Sequence, residues 1–380
     1  MNSRAARDGQ LLASATLRIG LNLLYLRPRI VGGTETYARG LISGFEALGP
    51  NAQFVVFLNR SAADWPLPSR FTRVVCPVSA RQGSRYLYEQ TRLPFRVRAL
   101  DLDILHSLAY VAPVFTPCPS VVTVPDLNYR SPAHAMPLAR RLALSSIVSA
   151  AVRTSDVVIA ISRFVADEIS AAMPHASAKL HVVHLAPQER MAGDSTFLEH
   201  VRPTGPYFLA FSSVSPNKNL VRLLEAFRAA RSMGLAHSLV LVGHRPSWTS
   251  HDEAGVRWTG YLPDGDVYRL LGGADALFFP SLYEGFGLPI LEAMQAGTAV
   301  ACSARTSLPE VAGDAALYFE PEDVGSITAA MRRLADDPAL RSALVSSGRA
   351  RAAQFSWRRV AAETFAVYQS VLARRALLAS

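Results

Sequence analysis

A chain of 380 residues exceeds what one ordinary core holds, and at roughly 100–200 residues per domain it is expected to build two. Half of its residues are hydrophobic and 18% are charged, which excludes a disordered chain and leaves enough apolar surface for large cores. The net charge of +9 falls entirely in the first half: residues 1–190 hold 21 Lys and Arg against 12 Asp and Glu, while residues 191–380 hold 18 of each.

Arg4 and Arg7 before an apolar stretch have the outline of a signal peptide, but Arg18 interrupts the stretch and no small-residue cleavage site follows cleanly. Residues 17–25 suit a first buried strand instead. No run of about 18 apolar residues occurs, so no transmembrane helix is expected. Directly after this strand come Val31-Gly32-Gly33-Thr34-Glu35-Thr36-Tyr37. Gly32 and Gly33 would let backbone approach a ligand, beside the open N–H groups of a helix expected over 35–48; a plain turn is the other reading of the same pair.

Further strands of the first half are expected at 54–58, 73–76, 104–106, 120–124 and 157–161, with helices over 85–100 and 137–151. His106, closing the fourth strand of this half when residues 17–25 are counted as the first, is either a cleft residue or a satisfied structural histidine. Asp126, just past the fifth, is able to act as a base or to cap a turn. Ser162, past the sixth, is able to face a ligand or to cap the helix that begins there. The basic excess concentrates in Arg81, Arg85, Arg92, Arg96 and Arg98, interleaved with Tyr86, Tyr88 and Phe95, and in Arg140, Arg141 and Arg153. Such a mixture suits an anionic membrane surface, or it is a solvated arginine-rich face. No base-reading motif accompanies it, so nucleic acid is not an expected partner. Cys76, Cys118 and Cys302 are scattered, which argues against a disulfide framework or zinc site and fits a cytoplasmic setting.

A polar stretch over 187–206, with Gly193, Pro203, Gly205 and Pro206, is the expected joint between domains. Beyond it, strands are expected at 207–211, 238–242, 256–259, 276–279 and 299–301. Helices are expected over 220–232, 264–274, 289–295, 324–335, 338–354 and 357–374. Strand–helix alternation in both halves predicts two parallel sheets covered on both faces. Between the first strand and helix of this half, Phe211-Ser-Ser-Val-Ser-Pro-Asn-Lys218-Asn219 places Lys218 where it is able to neutralise a diphosphate.

The segment from Phe278 to Met294 contains Glu284-Gly285-Phe286-Gly287-Leu288 and then Glu292. A strand, a glycine turn and a helix with early proline form a place for an anion. Glu284 in the turn and Glu292 one turn into the helix are able to accept hydrogen bonds from a polyol. As a pair they also fit the two carboxylates of a glycosidase, although the phosphate-binding turn has no use there. Two Asp-x-Asp patterns, at Asp101/Asp103 and Asp264/Asp266, lack further ligands nearby, and no metal is expected.

This segment, continued by Gly297-Thr298 and by Ser307 through Asp323, resembles the E-x7-E region of the family 4 glycosyltransferases, retaining enzymes of the GT-B architecture. The likeness runs in order along nearly the whole chain and is densest over 207–323. It implies an α/β protein of GT-B type, two doubly wound Rossmann-like domains facing a central cleft. Residues 1–200 would form the acceptor side, 201–355 the donor side, and 356–380 a helix returning to the first domain. It also implies that Glu292 binds the donor ribose and that Glu284 and the Gly285, Phe286, Gly287 and Leu288 backbone meet the sugar and phosphate. Lys218 would stabilise the leaving diphosphate, with Ser213, Ser162, Gly32 and Gly33 completing the donor set. Asp126, Lys218 and Glu284 are the catalytic candidates, and His106 and Asp126 the acceptor-side ones.

The chain departs from the family at Asn217, where relatives carry arginine, and at Pro125, where many carry histidine. The implied reaction moves a hexose from a GDP-sugar or UDP-sugar, GDP-mannose first, to a glycan or lipid-linked acceptor in polysaccharide or glycolipid synthesis. It would proceed without a required cofactor, with the enzyme peripheral at the inner face of the cell membrane. A sugar-nucleotide epimerase or phosphorylase on the same fold, or a catalytically impaired sugar-nucleotide-binding protein, are the alternatives.

Overall fold

The computed structural model describes residues 16–28, 32–131, 136–188, 202–213, 215–249 and 253–379. Within them the chain forms two compact units. One takes the residues up to Leu127, Leu138–Leu185 and those from Ser356 onward; the other takes Asn128–Pro137 and Ala186–Phe355. An unbroken first domain to residue 200 was the expectation. Asn128–Pro137 group with the second unit in this division, and the described residues among them, 128–131 and 136–137, hold no strand. Most of the expected joint, residues 189–201, lies outside the described residues.

In the first unit, seven parallel strands are β1 (Leu17–Leu23), β2 (Ala52–Leu58), β3 (Phe71–Val75), β4 (Ile104–Ser107), β5 (Ser120–Val124), β6 (Val157–Ala160) and β7 (Leu180–Val182). Their order is β3-β2-β1-β4-β5-β6-β7, so β1 lies between β2 and β4, with Leu21 opposite both Val56 and His106. Strands β4, β5 and β6 are buried along their whole length, as the faces of a parallel sheet must be when helices cover both. The helices are α1 (Gly33–Leu48), α2 (Gln82–Thr91), α3 (Leu93–Ala99), α4 (Leu138–Thr154), α5 (Arg163–Ala172) and the C-terminal helix Trp357–Ala379. One helix was expected over 85–100; the chain breaks it at Arg92, because Pro94 has no N–H for the preceding turn and starts a new helix instead.

The second unit has six parallel strands: β8 (Tyr207–Phe211), β9 (Ser238–Val242), β10 (Val256–Gly260), β11 (Ala276–Phe279), β12 (Ala299–Ser303) and β13 (Leu317–Phe319). They run in the order β10-β9-β8-β11-β12-β13. Around them lie α6 (Leu220–Ser232), α7 (Asp264–Gly273), α8 (Leu288–Ala296), α9 (Leu308–Ala312), α10 (Val324–Asp336) and α11 (Pro338–Ala352). Phe208, Phe227, Phe278 and Phe319 fill one core with Ile327 and Leu334, each ring contributing about 1.5–3 kcal/mol by leaving water. Strands β7 and β13 were not expected, since three residues are too few to show a period.

In each unit the winding reverses next to the first strand, between β1 and β4 and between β8 and β11. At such a reversal the loops leaving neighbouring strands diverge and open a crevice at their carboxyl ends.

Candidate functional site

The crevice of the second unit is built from the loops after β8 and β11. The first makes a short 3-10 turn over Pro216–Lys218, then Asn219 takes the left-handed conformation (φ 55°) before α6. Asparagine tolerates that region, and its buried amide uses the position: Nδ2 donates to the Pro280 carbonyl at 3.1 Å and to the Pro321 carbonyl at 2.6 Å. Asn217 adds a second tie, its Nδ2 donating to the Tyr283 carbonyl at 3.2 Å while its own carbonyl accepts from the Leu282 N–H at 2.7 Å. Asn217, where the family resemblance leads one to expect arginine, thus joins the two loops and brings no charge. Ser213 accepts the Ser215 N–H at 3.2 Å, a bond within the loop.

These ties bring Lys218 Nζ to 2.6 Å from Glu284 Oε1 and 5.3 Å from the centre of the Phe279 ring. Both side chains are partly exposed, the lysine at 27% and the glutamate at 15%. An anion arriving at Lys218 would meet a cation already held in place, and Glu284 would be free to accept from hydroxyls instead.

The Glu284–Gly287 turn is held from behind by two residues that the sequence reading left without a role. Thr306 Oγ1 accepts the Glu284 N–H at 3.3 Å, and the Ser307 hydroxyl lies 2.9 Å from both the Glu284 and the Phe286 carbonyl oxygens. Thr306 is a β-branched residue at φ 58°, a strained choice that costs about 1–3 kcal/mol and tends to mark functional loops. No local sequence signal announces it, because threonine gives no hint of a left-handed backbone. Gly287 sits at φ 103° as the N-cap of α8, where a Cβ would meet Leu308 Cδ2 at 2.6 Å. Leu288 and Pro289 open that helix, and Glu292 lies within it, 6% exposed. Neither glutamate is a freely solvated surface acid.

In the first unit Gly32 is the N-cap of α1 at φ 50°, and its carbonyl accepts from the Glu35 N–H at 2.9 Å. Both Gly32 and Gly33 are exposed and a Cβ on either would meet nothing within 4 Å, so space lies open in front of the turn. Asp126 is half-buried just beyond β5. Ser162 is buried and caps α5, its Oγ accepting from the Val165 N–H at 3.1 Å.

His106 has no surface open to a ligand. It is fully buried, with Nδ1 2.6 Å from the Tyr368 hydroxyl and Nε2 2.8 Å from Thr123 Oγ1, which lies 3.0 Å from the Tyr37 hydroxyl. Burial pushes its pKa down to about 3, so the ring is neutral and serves the structural role that was one of its two readings. A buried carboxyl that the reading did not single out lies at the carboxyl end of β1. Glu89 of α2 accepts from Asn22 Nδ2 at 3.1 Å and stands 3.5 Å from Arg85 Nε. Burial, opposed by Arg85, raises its pKa to about 7.

Among the described residues no group of three or more His, Cys, Asp or Glu side chains converges on a point, and no helix is long and apolar enough to cross a membrane.

Two family models match the chain. That of Glycosyltransferase Family 4 covers residues 31–186, and that of Glycosyl transferases group 1 covers residues 197–351. The O-antigen chain mannosyltransferase B of Escherichia coli is 38% identical over 174 residues, 43% of this chain and 45% of the relative. The MMP alpha-(1->4)-mannosyltransferase of Mycolicibacterium hassiacum is 38% identical over 170 residues, 42% of this chain and 41% of the relative. The matched part therefore spans less than half the length of either relative. Among solved structures, sucrose-phosphate synthase from Thermosynechococcus elongatus superposes with a TM-score of 0.75 at 18% identity, covering 94% of this chain and 100% of that one. At that identity the likeness speaks for the fold, which is GT-B.

Proposed function

Because this chain belongs to the group 1 glycosyltransferases of family 4, we propose that it moves a hexose, mannose first, from a nucleoside-diphosphate donor to a hydroxyl of a glycan or lipid-linked acceptor, with retention at the anomeric carbon. The observation that carries this reading is the Lys218–Glu284 pair at the reversal of the second sheet, beside a glycine turn that opens a helix. The diphosphate of the donor takes the Lys218 ammonium and the N–H groups at the start of α8, where the charge that grows on the leaving group is stabilised. Glu284, released from the lysine, accepts from sugar hydroxyls, and Glu292 accepts from the ribose. Gly285, Phe286, Gly287 and Leu288 supply close backbone contacts, with Ser213, Ser162, Gly32 and Gly33 in the same donor set. Asp126 takes the acceptor side and draws the proton from the attacking hydroxyl. The donor is a GDP-sugar or a UDP-sugar, and the product belongs to polysaccharide or glycolipid synthesis. Incubation with radiolabelled GDP-mannose and lipid or glycan extracts tests the reading: label should appear in an acceptor. Donor binding with neither transfer nor hydrolysis would overturn it.

Replacing Glu292 by alanine is expected to weaken donor binding about 10–100-fold, the worth of roughly 1.5–3 kcal/mol for hydrogen bonds to a charged group, with the melting temperature nearly unchanged. Calorimetric titration with GDP-mannose and UDP-glucose reads this, and equal affinities in variant and wild type would remove Glu292 from the site.

The acceptor side also supports contact with an anionic membrane surface. Leu87, Phe95 and Phe115 are 65%, 72% and 74% exposed, beside the exposed Arg92, Arg96 and Arg98. Vesicles containing an anionic lipid are expected to bind the protein, less as salt rises. Arg96→Ala should weaken that binding about fivefold, from about 1 kcal/mol per basic residue. Sedimentation that finds no binding, or binding indifferent to salt, would dispose of the membrane contact.

A further inference from the structure

At the amino-terminal ends of β6 and β7, away from the loops described above, the first unit holds a basin of about 1110 Å³. Its wall is basic. Arg153 from the last turn of α4, Arg374 and Arg375 from the C-terminal helix, and His175, Lys179 and His181 around β7 all line it.

The charges there are not mutually cancelled. Asp156 is the acid in the lining: its Oδ2 accepts from the Ser120 N–H at 2.8 Å and the Ser120 hydroxyl at 3.3 Å, its charge acts on Lys179, and it stands against a larger number of cations. Lys179 Nζ donates to the carbonyls of Arg153 at 2.8 Å and Ser155 at 2.6 Å. It thereby satisfies the end of α4 and offsets the negative pole of that helix. This leaves Arg153, Arg374 and Arg375, all exposed and none in an ion pair with any described residue. Ser155, 1% exposed and part of the same wall, has a hydroxyl without any hydrogen-bond partner.

We propose that this basin binds a ligand carrying two or more phosphate groups, at a site separate from the nucleotide-sugar crevice. Guanidinium groups match phosphate oxygens in pairs, and three of them on one concave wall suit a polyanion better than a single carboxylate. At about 1110 Å³ the basin is slightly larger than the roughly 300–1,000 Å³ of ordinary small-molecule sites, so it has room for such a ligand. The basin lies at the amino-terminal ends of β6 and β7, whereas Asp126 and Ser162 follow the carboxyl ends of β5 and β6, so its ligand is an effector or an anchor and not a substrate.

The test uses inorganic pyrophosphate and the full chain. To silence the donor crevice, pyrophosphate is titrated into the Lys218→Ala protein and into the same protein carrying Arg374→Ala and Arg375→Ala. Both arginines are exposed, so the helix is expected to fold without them. The arginine variant should bind at least about tenfold more weakly, the loss of one or two charge-assisted contacts. Equal affinity in the two proteins, or no saturable binding in the first, would overturn the proposal. Amide exchange gives a second readout: pyrophosphate should slow exchange over residues 175–182 in the wild type, and unchanged exchange there also overturns it. Vesicles with phosphatidylglycerol separate the sources. Slowed exchange over 175–182 with vesicles assigns the phosphates to a lipid headgroup, and slowed exchange with pyrophosphate alone assigns them to a soluble ligand.

Discussion

Sugar transfer by Lys218→Ala is expected to fall by about 10²–10³-fold, with the loss in kcat and little change in the melting temperature. The donor diphosphate gains negative charge as the glycosidic bond breaks, so a fixed cation at that point helps the transition state more than the bound donor. Lys218 is preset for this by Glu284 at 2.6 Å and by the Phe279 ring beneath it. Asn217 contributes no second cation, so one substitution removes the charge that the loop after β8 offers. Lys218→Arg should recover part of the rate, because it keeps the charge and changes the reach. A Lys218→Ala enzyme within a factor of two of wild type in a saturating donor assay would show that the leaving group is stabilised elsewhere.

Gly44→Ala is expected to loosen the C-terminal helix from α1 and to lower the melting temperature of the first unit by about 4–8 °C. Two effects compete. Alanine favours a helix over glycine by about 1 kcal/mol, which on its own would stabilise α1. Against it, a Cβ at Gly44 would lie 2.1 Å from the Trp357 carbonyl oxygen and 2.7 Å from its carbon. Backbone atoms cannot rotate away as the tip of a side chain does, so the overpacking cost of about 3 kcal/mol wins, for a net loss of about 2 kcal/mol. Gly40 has the same neighbour, the Trp357 indole, at 2.1 Å. Urea unfolding followed by tryptophan fluorescence checks the sign: a variant as stable as the wild type or more so would mean that the helices separate freely at this point.

Much of this molecule was legible along the chain. Strands β5, β8, β9 and β11 coincide with the expected segments, because short apolar runs bounded by polar or glycine-rich turns state their own limits. The turn at Gly285–Gly287 and, to within one residue, the helix start at Leu288 were legible for the same reason: glycine and proline each carry a backbone preference that survives in any context. Capping at Ser162 was one of its two readings, since a serine between a strand and a helix reports a local bond. By contrast, β7 and β13 left no period to find, and the helix over 85–100 was read through Pro94 as though the break were tolerated.

By itself, then, the sequence determined two series of β/α units and the chemical character of the turn that ends β11, because both follow from preferences of neighbouring residues. Only the tertiary structure decided that the loops after β8 and β11 stand side by side. Lys218 and Glu284 meet across a separation of 66 residues because those two strands are neighbours in the sheet, an order that no local pattern encodes. The same holds for His106, whose partner Tyr368 lies 262 residues away. Its neutrality comes from burial under a helix from the far end of the chain, and burial is a property of the assembled core and not of any segment within it.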